Sequence, residues 1–105
     1  MQSAAPSTAE LTELTLACTS LWLSTLSLMT AFMQQRAPAH RYLLARRIAR
    51  NFATLRAQPE CFSQQTLDKF EALERRWQLK AERLSPSRSQ QPAGMIERLQ
   101  RLFAR

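Results

Sequence analysis

A single glycine, Gly94, in 105 residues restricts the folds open to this chain more than any other feature. Sandwiches and barrels need turn residues at each strand connection, and one Gly with five Pro does not supply them. The phosphate turns of Rossmann domains and P-loops need several glycines at fixed spacing, so both are excluded. No segment alternates apolar and polar residues with period two between turn signals. Apolar residues recur instead every three or four positions. The expected fold class is therefore all-α, and the length suits one domain.

The punctuation divides the chain. Residues 1–6 are small and polar and are expected to be a disordered N-terminal tail. Ser7 and Glu10 form a capping-box pattern that opens a helix ending near Gln35, because Pro38 pushes Ala37 out of the helical region. Pro38 opens a second helix that ends before Pro59. Ser63 caps a third that runs to about Leu84. Both connections are short, so residues 7–84 are expected to form an up-down-up three-helix bundle, with a helical hairpin completed by a second chain as its competitor. Residues 85–94 hold no large apolar side chain and read as a flexible linker. Residues 95–105 read as a short C-terminal amphipathic helix.

The first helix is unusual because Leu14 to Met33 contains no charge. On a helical wheel, Leu11, Leu14, Ala17, Cys18, Leu21, Trp22, Leu28, Met29 and Phe32 share a broad stripe with Thr25, the expected contact with the other two helices. The opposite face holds Thr12, Thr19, Ser20, Ser27 and Thr30, together with Leu16, Leu23 and Leu26. A solvated face would carry Lys, Glu or Arg. This one is expected to be covered, either by another protein chain or by the C-terminal helix folding back. Twenty uncharged residues also suffice to span a bilayer, although seven of these are Ser or Thr.

The chain carries 15 Lys+Arg against 8 Asp+Glu, a net charge of +7. Much of that excess lies between Arg36 and Arg56, where six Arg stand without an acidic residue. Arg46, Arg47 and Arg50 lie within one turn of the second helix, opposite a core stripe of Tyr42, Leu44, Ala45, Ile48, Ala49, Phe52 and Leu55. They form a candidate anion site, since guanidinium forks pair with phosphate. The alternative is a solvated face partly neutralised by Glu71, Glu74 and Glu82. Nucleic-acid binding is a possible but weaker reading, because no stacking aromatics are interleaved with the arginines.

The third helix has a core stripe of Leu67, Phe70, Leu73, Trp77, Ala81 and Leu84, with charges of alternating sign elsewhere and a Glu71–Arg75 pair. In the C-terminal segment Met95, Ile96, Leu99, Leu102 and Phe103 share one face, and Arg98, Arg101 and Arg105 the other. Eleven residues are too few for a stable isolated helix, so this segment is expected to dock on its own bundle, a partner groove or a membrane surface.

No catalytic constellation emerges. One His and two separated Cys make neither a zinc site nor a nucleophile–base pair, so no metal, cofactor or enzymatic activity is expected. Cys18 and Cys61 are read as free thiols, with a Cys18–Cys61 disulfide as the alternative. The first 13 residues carry no Lys or Arg and include Glu10 and Glu13, the reverse of a signal peptide's basic start, and the expected location is cytoplasmic. The small amphipathic helical build resembles, in composition alone, granule-coating phasins and secretion or regulatory adaptors. The leading expectation is a non-catalytic helical adaptor acting through protein–protein contacts, a homodimer by its partner-binding residues Leu16, Leu23, Leu26 and those of the tail. Alternatives are anion or nucleic-acid binding through Arg46, Arg47 and Arg50, and a peripheral membrane or granule-surface protein.

Overall fold

The computed structural model describes residues 7–86. The expected N-terminal tail, nearly all of the linker and the C-terminal helix with Met95, Ile96, Leu99, Leu102 and Phe103 lie outside them. The described residues form three α-helices and no strand: α1 (Thr8–Gln34), α2 (Pro38–Arg56) and α3 (Gln64–Leu84).

Local chemistry sets each boundary. The Ser7 hydroxyl accepts from the Glu10 amide at 3.1 Å, while the Ser7 amide donates to the Glu10 carboxylate at 2.7 Å. This reciprocal pair satisfies two amides that helix geometry leaves open, and it holds the Glu10 carboxyl below its ordinary pKa. At the other end Gln35 is extended, with φ −83° and ψ 133°. Its side-chain oxygen accepts from the amides of Arg36 and Ala37 at 3.2 and 3.1 Å, which fixes the turn before Pro38 opens α2. Ser63 caps α3 by accepting from the Thr66 amide at 3.3 Å.

The helices form a bundle around aromatic rings. Phe70 of α3 meets Trp22 of α1 at 5.3 Å, Phe52 of α2 at 5.9 Å and Phe62 of the α2–α3 turn at 4.9 Å between centroids. Nearer the far end, Phe32 of α1 stands edge-on to Trp77 of α3 at 5.0 Å, and the Arg41 guanidinium lies 4.2 Å from the Phe32 centroid. Ala45, Ile48, Phe52 and Leu55 of α2 are buried among these rings. The α2 and α3 core stripes therefore fall where the apolar spacing puts them. Thr25, the one polar residue of the α1 stripe, is fully buried.

The α1 stripe departs from expectation at its N-terminal end. Leu11 and Ala17 are exposed and Leu14 is only half-buried, whereas Cys18, Thr25 and Phe32 are buried. The cause is length. At ~1.5 Å per residue, the 27 residues of α1 span roughly 40 Å against roughly 28 Å for the 19 residues of α2. Cys18 already lies beside Cys61 in the α2–α3 turn, and Phe32 lies beside the start of α2. Residues 8–17 therefore project past the turn, and none of them is buried among the described residues.

Two substitutions separate core from overhang. Phe70→Ala removes the ring shared by every element and should cost roughly 3–5 kcal/mol. Leu11→Ala lies on the overhang and should cost less than about 1 kcal/mol. Urea unfolding followed by circular dichroism measures both.

Candidate functional site

Four of the seven exposed large apolar residues among the described residues lie on the outer face of α1. Leu16, Leu23, Leu26 and Met33 are 63%, 58%, 40% and 77% exposed. With Thr19 and Thr30 between them they fall at 16, 19, 23, 26, 30 and 33, alternating steps of three and four. That is heptad spacing, the periodicity of a helix–helix seam. The inner face follows the same rule, since the buried residues Cys18, Thr25 and Phe32 are seven apart. α1 thus carries two seams on different sides, and among the described residues only the inner one is covered. No Lys, Arg, Asp or Glu interrupts the outer seam between Glu13 and Arg36. The Thr30 hydroxyl bonds back to the Leu26 carbonyl at 3.2 Å, so its polarity is partly satisfied within the helix.

Met33 continues this seam, although the wheel reading had assigned it to neither face. Leu79 of α3 and Leu43 of α2, 52% and 58% exposed, are further open apolar residues. They stand singly, as surface leucines commonly do.

The arginines of α2 are distributed over two grooves. Arg46 and Arg50 line an open cleft between α2 and α3, together with Tyr42, Glu74, Gln78 and Glu82. Arg47 lines a separate cleft between α1 and α2 with Leu21, Ser24, Ser27, Leu28 and Asn51. Successive helical positions differ by about 100°, so residues 46 and 47 turn toward different neighbours once α1 and α3 flank α2. The three side chains do not share one cleft. Arg46 is further engaged by the Tyr42 hydroxyl at 3.2 Å.

Glu74 is the residue that the charge pattern placed wrongly. It is buried, 8% exposed, rather than part of the outer charged surface. Arg56 Nε donates to its Oε1, and Gln78 Nε2 donates to its Oε2 at 3.1 Å. The hydrogen bond from Arg56, reinforced by the charge of Glu74, raises the pKa of the guanidinium. A signal was present in the spacing: 67, 70, 74, 77 and 81 step by three and four, so Glu74 occupies a core position of α3. The Glu71–Arg75 pair forms on the exposed side at 3.5 Å.

A second polar contact crosses the α1–α2 interface. Thr25 donates to the Leu21 carbonyl at 2.7 Å and accepts from Asn51 Nδ2 at 3.1 Å. A satisfied polar pair inside an apolar seam penalises any slip of α1 along α2, because the slip would take the Asn51 amide off its acceptor and set the Thr25 hydroxyl against apolar neighbours.

Cys18 and Cys61 are free thiols brought together from opposite ends of the α1–α2 hairpin sequence, with 3.2 Å between their sulfurs. Burial, then the hydrogen bond to Cys61, pushes the Cys18 thiol up to about 11. His40 is exposed at the start of α2. No family model matches the chain, and no curated protein or solved structure matches it either.

The burial of Glu74 is testable. Glu74→Leu places an apolar side chain at a core position and frees Arg56, which already reaches solvent. Stability should be unchanged or should rise by up to about 2 kcal/mol. Arg56→Ala should lower stability, because it strips the buried carboxylate of its cation. Urea midpoints compare the two, and a large loss in Glu74→Leu would mean that the pair itself is required.

Proposed function

We propose that the protein is a non-catalytic helical adaptor that self-associates through the outer face of α1. The observation that carries this reading is the heptad-spaced, uncharged and exposed row Leu16, Thr19, Leu23, Leu26, Thr30 and Met33. A row of this kind is self-complementary, so two copies related by a two-fold axis can each supply the knobs that fill the other's holes. The small Thr side chains allow close approach. Four large apolar residues from each copy contribute on the order of 10 kcal/mol, before association costs of similar size. Self-association is therefore weak and concentration-dependent. In this reading the up-down-up bundle presents the seam, and the C-terminal helix with Met95, Ile96, Leu99, Leu102 and Phe103 adds a second contact, to the sister chain or to a further protein partner in the cytoplasm.

The anion-binding alternative draws less support. An anion entering the α2–α3 cleft meets Glu74 and Glu82 as well as Arg46 and Arg50, and Arg47 lines a different cleft.

One observation favours a membrane reading. α1 is long and apolar enough to cross a bilayer by length and composition, with mean hydropathy 1.5 over an 18-residue window of which 17% is buried. Against it, a spanning α1 would give up the contacts of Trp22, Thr25 and Phe32 with α2 and α3.

Light scattering across a concentration series tests the proposal. The wild-type chain should shift from monomer toward dimer as concentration rises, without detergent. Leu16→Arg with Leu23→Arg should remain a folded monomer at every concentration. A wild-type chain that stays monomeric at high micromolar concentration contradicts the proposal, and one that instead floats with lipid vesicles supports the membrane reading.

A further inference from the structure

The two cysteines meet at the one point where α1 leaves the rest of the bundle. Cys18 is the last buried residue of α1 before the projecting segment 8–17, and Cys61 lies in the turn that joins α2 to α3. They are 43 positions apart, on elements that no backbone hydrogen bond connects. Their sulfurs stand 3.2 Å apart, so closing a bond of ~2.05 Å requires an approach of only about 1 Å. The turn around Cys61 is short, and neither of the next two side chains after it is a bulky obstacle to solvent: Phe62 packs inward on Phe70, and Ser63 is exposed. The two thiols differ in access. Cys18 is 5% exposed, whereas Cys61 is only half-buried.

We infer that Cys18 and Cys61 form a reversible disulfide that clamps α1 to the α2–α3 turn, with Cys61 as the entry thiol, Cys18 as the resolving thiol and a low-molecular-weight disulfide of the glutathione class as the oxidant. The Cys61 thiolate attacks one sulfur of the oxidant, a mixed disulfide forms on Cys61, and one thiolate leaves. The Cys18 thiolate then attacks the Cys61 sulfur, the intramolecular bond forms, and the second thiolate leaves. Two electrons pass from the cysteine pair to the oxidant. The two protons lost by Cys18 and Cys61 end on the two released thiols. The order follows from access, since an incoming disulfide reaches Cys61 first while Cys18 lies beneath it.

The bond has a structural consequence. In the reduced chain, α1 is held to the hairpin only by its inner seam from Cys18 onward. In the oxidised chain a covalent tie is added at the base of the projecting segment, and the loop between the cysteines is closed in the unfolded state as well. Oxidation therefore makes lifting α1 off the hairpin much harder. This inference does not depend on the self-association reading, since both thiols belong to one chain.

The test uses the full chain, reduced and then incubated with oxidised glutathione without other oxidants. Intact mass should show the loss of two hydrogens with no retained glutathione, and a non-reducing peptide map should join the peptides holding Cys18 and Cys61. The thermal midpoint should rise by roughly 10 °C or more and return on reduction. Cys18→Ser should stop at one glutathione on Cys61, and Cys61→Ser should react far more slowly. The closing step in the wild type should accelerate as pH rises from 7 to 9, because only the Cys18 thiolate attacks and burial holds its thiol above the ordinary range. A wild-type product that carries two glutathiones, or that joins two chains through Cys61, overturns the proposal. So does an intramolecular bond that leaves the thermal midpoint unchanged. The mass and peptide readings are made on the wild type, so they stand even if a variant fails to fold.

Discussion

The ring of Phe70 is the contact on which the bundle depends. It receives Trp22 from α1, Phe52 from α2 and Phe62 from the turn, so one side chain of α3 touches all of these elements at once. Edge-to-face and tilted rings fix mutual orientation as well as burying area. Once α2 and α3 are closed on these rings, only one register of α1 seats Trp22 beside Phe70, Phe32 beside Trp77 and the Thr25 hydroxyl on Asn51. The remaining features follow from that register. It places Cys18 on Cys61, leaves residues 8–17 beyond the turn, and turns Leu16, Leu23, Leu26 and Met33 outward.

α1 is consequently a helix with two partners' worth of apolar surface and one partner. Its inner seam uses the buried residues Cys18, Thr25 and Phe32, and its outer seam repeats the same spacing and is left open by the described residues. Both the thiol pair and the outer seam concern how firmly α1 is held and by what. The thiol pair acts at the base of the overhang, within one chain. In the proposed self-association the outer seam acts along the length of the helix, between chains. α2 and α3, with their half-buried Arg56–Glu74 contact and charged exteriors, serve as the platform.

Helix boundaries were legible in the sequence because single residues set them: Ser7 and Glu10, Pro38, and Ser63 each act through local bonds that need no tertiary context. The core stripes of α2 and α3 were legible because charged residues mark the outside so clearly. Glu74 was not, since a charge was taken as a sign of exposure while its spacing with Phe70 and Trp77 marked a core position. The extent of the α1 contact was also illegible. A periodic stripe shows which face is apolar but not where the neighbouring helices end, so Leu11 and Ala17 share the stripe yet are left exposed by the described helices. The division of Arg46 and Arg47 between two clefts likewise depends on which sides of α2 its neighbours occupy. The meeting of Cys18 with Cys61 depends on the register of α1, which only the packed rings determine.

In the proposed self-association, α1 has one seam filled by its own chain and a second that takes another copy of the chain. Amide hydrogen exchange at two protein concentrations addresses it directly. At low concentration residues 8–17 should exchange quickly, because neither seam supports them there, while the core of α2 and α3 is protected. At high concentration protection should spread along residues 8–33 with α2 and α3 unchanged. Exchange in residues 8–33 that is identical at both concentrations would contradict the account.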